Sequence, residues 1–143
     1  MLRILLLALL PIFVACGTTT QSSALDTDGA RVKSFHADVN TTFAAILTVL
    51  TQENYQITRA DELGQSISAS SAVTTGALGS RLDYTIARFD LESMVSGITN
   101  VRLGLTKTWE VSGHGRTPNN DRQVGKESRY EHFFERIGQA LAK

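Results

Sequence analysis

The segment V-R-L-G-L-T-K-T-W-E-V, residues 101–111, decides the fold class, because its polarity changes with a period of two. The apolar residues occupy one set of alternate positions: Val101, Leu103, Leu105, Trp109 and Val111. Successive side chains of a β-strand point to opposite faces, so the segment predicts a strand with one apolar face. Lys107 interrupts that face.

The preceding segment predicts a second strand of the same kind. Its apolar residues fall first on even and then on odd positions: Leu82, Tyr84 and Ile86, followed by Phe89 and Leu91. This change of parity predicts either a β-bulge near Ala87 or Arg88, or two separate short strands. Shorter strands are predicted further upstream at Arg31–Phe35, Tyr55–Arg59 and Ser66–Ser70.

Two segments on either side of these strands have the helical period instead. The first has apolar residues at Phe43, Ile46, Leu47 and Leu50, and the second at Tyr130, Phe133, Phe134, Ile137 and Leu141. Either Asp38 or Asn40 can cap the first helix. Ser128 and Glu131 form a capping-box pattern at the start of the second.

The order of elements is therefore strand, helix, several strands, helix. One-sided strands bury their apolar face against helices, which predicts an α+β fold. We expect a single domain at residues 31–143, with an antiparallel sheet of about five strands and two amphipathic helices on one face.

Residues 1–30 have a different composition from this domain. Arg3 is followed by the uncharged stretch from Ile4 to Val14, and a small residue, Ala15, precedes Cys16. This arrangement predicts a secretory signal peptide at residues 1–15, too short for a membrane-spanning helix. Residues 17–30 are mostly small and polar, which predicts a flexible tether.

The stretch Phe13-Val14-Ala15-Cys16 resembles the lipobox of bacterial lipoproteins. That resemblance implies that the signal is cleaved before Cys16 and that Cys16 receives the lipid. Cys16 is the only cysteine of the chain, which agrees with its use in a thioether. Because Gly17 rather than Asp follows it, the resemblance implies the outer membrane, facing the periplasm. The alternative is an ordinary signal peptide with an incidental cysteine.

The domain itself also resembles a known family. Phe35-His36-Ala37-Asp38-Val39 leads into the first helix, an acidic turn with Gly64 follows, and a helix starting near Tyr130 ends the chain. This pattern is similar to the helix-grip domains of the lipoprotein C subunit of the β-barrel assembly machinery. The resemblance implies a helix-grip-like fold in a small envelope lipoprotein, and it implies no functional residue.

The sequence offers no recognisable catalytic or cofactor motif. It contains neither a G-x-S-x-G element nor a glycine-rich phosphate loop, and His36, His114 and His132 lack the spacing of metal ligands. Without Arg3, the chain carries about one net negative charge, so a nucleic-acid partner is not expected. We therefore predict a protein that is not an enzyme and has no cofactor.

Lys107, Trp109 and Tyr84 are the candidate contact residues for a ligand or partner. A cation on an apolar strand face could meet an anionic group, although its alkyl chain could also pack while the ammonium reaches solvent. Aromatic residues on such a face usually belong to the core. The polar loops Ala72–Ser80 and Gly113–Lys126 are either contact surfaces or solvated connections.

Two functional hypotheses follow. The first is a non-enzymatic interaction module, tethered by its lipid to the membrane, that binds another protein of the envelope. The second is a binding module that holds a small apolar or amphiphilic ligand between sheet and helices, lined by Lys107, Trp109 and Tyr84.

Overall fold

The structure is a computed structural model that describes residues 29–75, 81–95, 97–111, 122–123 and 127–143. In chain order, its elements are β1 (Arg31–Phe35), α1 (Val39–Gln52), β2 (Gln56–Asp61), β3 (Ser66–Ser70), β4 (Thr74–Thr75), β5 (Arg81–Met94), β6 (Ile98–Val111), β7 (Arg122–Gln123) and α2 (Glu127–Leu141). The predicted signal peptide, Cys16 and almost all of the predicted tether lie outside the described residues, and so does His114.

The sheet is antiparallel, and its main path runs β1-β6-β5-β3-β2. The short strands β4 and β7 pair with β5 and β6. The predicted α+β class is confirmed, but the prediction of about five strands is too low. Because β4 and β7 have two residues each, they are too short for an alternating pattern to reveal them. Both lie within segments that were predicted to be loops.

Both helices pack against the same face of the sheet. The sheet contributes Phe35, Ile67, Ala69, Ala87, Phe89, Leu91, Val101, Leu103 and Leu105 to the core. The helices contribute Phe43, Ile46, Val49 and Leu50 from α1, and Tyr130, Phe133, Phe134 and Ile137 from α2. The helical periods of the sequence thus mark the buried helix faces.

The start of α1 follows directly from its capping residue. Asp38 has extended backbone, and its Oδ1 accepts a hydrogen bond from the backbone N–H of Thr41 at 2.9 Å. Asp38, and not Asn40, is therefore the N-cap. In contrast, α2 already begins at Glu127, so Ser128 lies in its first turn and does not precede the helix as the capping-box prediction required.

Strand β5 is continuous, and the predicted bulge or strand break near Ala87 and Arg88 is wrong. Its register with β6 runs without a shift from Arg81 opposite Val111 to Met94 opposite Ile98. Odd positions of β5 face the helices throughout, including Thr85, which is buried. The parity of the apolar residues changes because Leu82, Tyr84 and Ile86 belong to the opposite face of the sheet.

Candidate functional site

The helix-facing side of β5 and β6 is not fully covered by the helices. Beyond Ala87 and Leu105, the core gives way to a groove of about 650 Å³, which we call the end groove. Its floor is formed by the sheet residues Ser71, Thr74, Asp83, Thr85 and Lys107, with Ala72 and Tyr84 at its border. Its walls are Glu53, Asn54 and Tyr55 after α1, and Ser128, Arg129, His132 and Phe133 on α2.

The first wall is positioned by the way α1 ends. The backbone N–H of Tyr55 donates to the carbonyl of Leu50 at 2.8 Å, and that of Asn54 donates to Thr51 at 3.2 Å. These bonds form a Schellman motif, which requires a left-handed residue just after the helix. Asn54, with φ of 58°, supplies it, because asparagine tolerates this conformation better than most residues. Glu53 and Tyr55 are held beside the groove as a result.

Glu53 links this wall to α2. Its Oε2 lies 3.1 Å from Nε2 of His132, and its Oε1 accepts a hydrogen bond from Nε of Arg136 at 3.2 Å. Arg136 also donates to Oε1 of Gln52 at 2.9 Å. The partner of His132 is therefore the carboxylate of Glu53 at the end of α1.

Aromatic rings line the interior of the groove. The rings of Tyr55 and Phe133 meet edge to face with centroids 5.5 Å apart, and Phe133 contacts Phe89 of the core in the same manner at 5.9 Å. Burial raises the pKa of the Tyr55 hydroxyl, and the nearby positive charge of Arg129 opposes this shift. Tyr55 is therefore a protonated hydroxyl at neutral pH.

Lys107 is the predicted contact residue that the structure places inside the groove. It lies on the helix-facing side opposite Thr85, and its side chain remains 47% exposed. Its Nζ is 3.9 Å from Oδ2 of Asp83, which makes a long ion pair. The apparent interruption of the apolar face is therefore explained, because the helices no longer cover the sheet at this level.

Tyr84 and Trp109 do not join Lys107 as a common lining. Tyr84 borders the groove, but strand alternation places it in the row of Leu82 and Ile86 on the other face. The backbone of Trp109 pairs with Asp83, while its side chain lies outside the described part of the structure. No sequence pattern identified Glu53, Tyr55 or Arg129 as groove residues, because only tertiary packing brings them there.

Within the described ranges, no group of three or more His, Cys, Asp or Glu side chains is arranged to hold a metal ion. His36 is exposed before α1, and His132 is engaged by Glu53. The helices in this part of the chain are also too short or too polar to span a membrane.

Comparisons with known proteins leave the family open. The sequence matches no protein-family model and no curated protein. A solved structure that matches this chain is a DUF4468 family protein from Bacteroides ovatus ATCC 8483, which is 13% identical. The match covers 82% of this chain and 88% of the other, with a TM-score of 0.46. The name of that family states no function.

Proposed function

We propose that this chain is an envelope lipoprotein, anchored through Cys16 in the outer membrane and facing the periplasm. In this proposal its α+β domain is a non-enzymatic interaction module for another envelope protein. The lipobox-like stretch before Cys16 supports the anchor. The antiparallel sheet with two helices on one face is compatible with a helix-grip-like fold, which we propose as its finer classification.

The end groove is the structural feature that best supports an interaction role. It is open to solvent, and it combines the cations Lys107 and Arg129 with the acids Glu53 and Asp83. Aromatic residues and arginine are enriched at protein–protein contacts, and complementary charges determine which partner fits. A groove with both signs of charge around the Tyr55 ring suits a polypeptide surface better than it suits a polyanion.

The test is site-specific photo-crosslinking of the full-length chain in its own cells. A photoreactive residue at Ser128, exposed in the groove, should capture a defined envelope protein. The same residue at Ser93, which is exposed at the far end of β5, is the matched control. Lys107→Glu and Arg129→Glu should each reduce the Ser128 adduct. Equal adducts from both positions, or none from Ser128, would refute this role for the groove.

The alternative proposal is a small amphiphilic ligand, and the position of Lys107 near aromatic rings favours it. Ile46, Leu50, Phe89 and Ile137 fill the space between sheet and helices, so such a ligand would lie in the end groove, at the open end of that interface. Its acidic group would approach Lys107, and its apolar part would lie on Tyr55 and Phe133.

Native mass spectrometry of full-length protein, gently extracted from its membrane, separates the two proposals. A small molecule bound one-to-one and lost in Lys107→Ala, with no captured protein, would favour the ligand. A defined protein partner without a small molecule would favour the interaction module.

A further inference from the structure

Strand β2 is an edge of the sheet that the described structure leaves uncovered. It pairs with β3 on one side only, and its residues from Gln56 to Ala60 are exposed. The outer side of such a strand presents unpaired backbone N–H and C=O groups, which can accept another strand. Because Ala60 faces the helix side of the sheet yet is exposed, the helices do not block access to this edge.

The charges along β2 are self-complementary. Arg59 and Asp61 lie two positions apart on the same face of the strand, and Nη2 of Arg59 is 3.1 Å from Oδ2 of Asp61. If two copies of β2 pair antiparallel about Ala60, each Arg59 lies opposite Asp61 of the second copy. Two opposite-charge cross-strand pairs are then formed, and such pairs stabilise antiparallel sheets.

Two exposed apolar side chains flank the segment that would pair. Ile57 lies before the register shift near the start of β2, and Leu63 lies in the turn just after Asp61. Leu63 is 99% exposed and Ile57 is 37% exposed, which makes them two of the few large apolar side chains that the described domain leaves in solvent. The charges of Arg59 and Asp61 therefore select the register, and the exposed apolar side chains lie at the margins of the paired segment.

Two further features limit the length of this pairing and restrict it to two copies of the chain. The register of β2 with β3 shifts between Ile57 and Arg59, so the regular part of the edge is limited to a few residues. A twofold axis through the Ala60 pair also uses the same edge of both copies, so the contact does not propagate into a fibre.

From these observations we propose that two copies of this chain associate by antiparallel pairing of their β2 strands about Ala60. The proposal does not depend on the end groove, because no residue of β2 lines it.

The test uses the full-length chain in its membrane. Cys16 is the only cysteine, so Ala60→Cys introduces one additional thiol at the proposed twofold axis. A short thiol-to-thiol crosslinker should then trap a dimer. The exposed Ala44 on α1 gives the matched control, Ala44→Cys, and the wild-type chain reports any crosslinking through Cys16. Dimer yields no higher for Ala60→Cys than for Ala44→Cys would overturn the proposal.

A charge exchange in the Ala60→Cys background tests the register. Arg59→Asp places Asp opposite Asp61 of the second copy, and Asp61→Arg places Arg opposite Arg59, so each variant alone should lose the dimer. Co-expressed with different tags, the two variants should form a mixed dimer, because every facing pair is then opposite in charge. An intrachain role of the Arg59–Asp61 pair cannot produce this rescue.

Circular dichroism first establishes that both variants are folded. If either is not, sedimentation of the wild-type chain in mild detergent decides instead. A concentration-dependent dimer that Arg59→Lys retains supports the pairing, whereas a monomer at all concentrations overturns it. Capture of a different protein at position 60, without a dimer, likewise refutes the second copy as the occupant.

Discussion

The hydroxyl of Tyr130 on α2 accepts a hydrogen bond from the backbone N–H of Leu105 in β6, at 3.3 Å. The position of Leu105 explains this contact. Strand β1 pairs with β6 only as far as Leu103, and β7 begins its pairing at Thr106. The amide of Leu105 therefore lies between the ends of two neighbouring strands, and the tyrosine takes the place of a strand partner.

Tyr130→Phe should destabilise the fold through this amide. The substitution keeps the buried ring but leaves the Leu105 N–H without its acceptor, which costs about 1–3 kcal/mol of unfolding free energy. Denaturant titration measures the loss, and hydrogen exchange locates it. The Leu105 amide should exchange faster than in the wild-type chain, while amides in the middle of β5 keep their relative protection. An unchanged Leu105 exchange rate would contradict this account.

Phe89→Ala and Arg88→Ala should differ sharply, although the two residues are neighbours. Phe89 is fully buried against Phe133, so its truncation should cost about 3–5 kcal/mol. Arg88 is exposed on the other face, and its truncation should change stability by less than about 0.5 kcal/mol. Chemical unfolding of both variants tests the continuous strand directly. Comparable losses of stability in the two variants would favour the β-bulge that was predicted from the sequence.

The stabilisation that Asp38 contributes should disappear in acid. Hydrogen bonds from the Thr41 hydroxyl and backbone N–H lower the pKa of Asp38 below its ordinary value of 3.8. A carboxyl whose pKa is lower in the folded state stabilises the fold above the unfolded pKa and loses that effect as the pH falls through the folded pKa. Asp38→Ala should therefore lower the melting temperature at pH 7 and have progressively less effect below pH 3.8.

Asp38→Asn provides the matched control, since it keeps a capping oxygen without a titrating charge. Its stability relative to Asp38→Ala should be independent of pH over the same range. Melting curves of the three proteins between pH 7 and pH 2 test this. A wild-type advantage over Asp38→Ala that persists undiminished at pH 2 would refute the assignment.

Cys16→Ser should abolish both processing and lipidation. Intact mass spectrometry of the wild-type protein from its membrane should show a chain that lacks residues 1–15 and carries acyl mass. The variant should retain the signal and carry no lipid, because the hydroxyl of serine does not replace the thiol in this modification. An uncut, unmodified wild-type chain would end the lipoprotein proposal and leave the interaction role of the domain to be judged separately.

Sequence periodicity predicted the buried face correctly in elements that are covered on one face along their whole length. The apolar spacing of Phe43, Ile46 and Leu50 marks the buried face of α1, and Asp38 caps it as its side chain allows. Strands β1 and β3 also have their predicted bounds. In these elements, the face that the apolar period marks is the face that is buried.

Periodicity gave a wrong prediction for β5, because the helices cover only part of the length of that strand. In β5, Leu82 and Ile86 lie on the face away from the helices, while Asp83 and Thr85 line the end groove, so polarity inverts although the strand continues. The groove itself combines Glu53 with His132, which are far apart in sequence and are brought together by antiparallel packing of α1 and α2. No local pattern contains that information.

The contact between Tyr130 and the start of β1 has a mechanical consequence. The Tyr130 hydroxyl donates to the carbonyl of Gly29 at 3.2 Å, and Nη1 of Arg31 lies 3.0 Å from Oε1 of Glu127, so the chain is fastened to the first turn of α2 where it enters the sheet. If the protein is held by its amino-terminal end, tension reaches these two bonds first. They would bear load ahead of the β1–β6 ladder, so the first contacts to break under tension would lie outside the hydrophobic core.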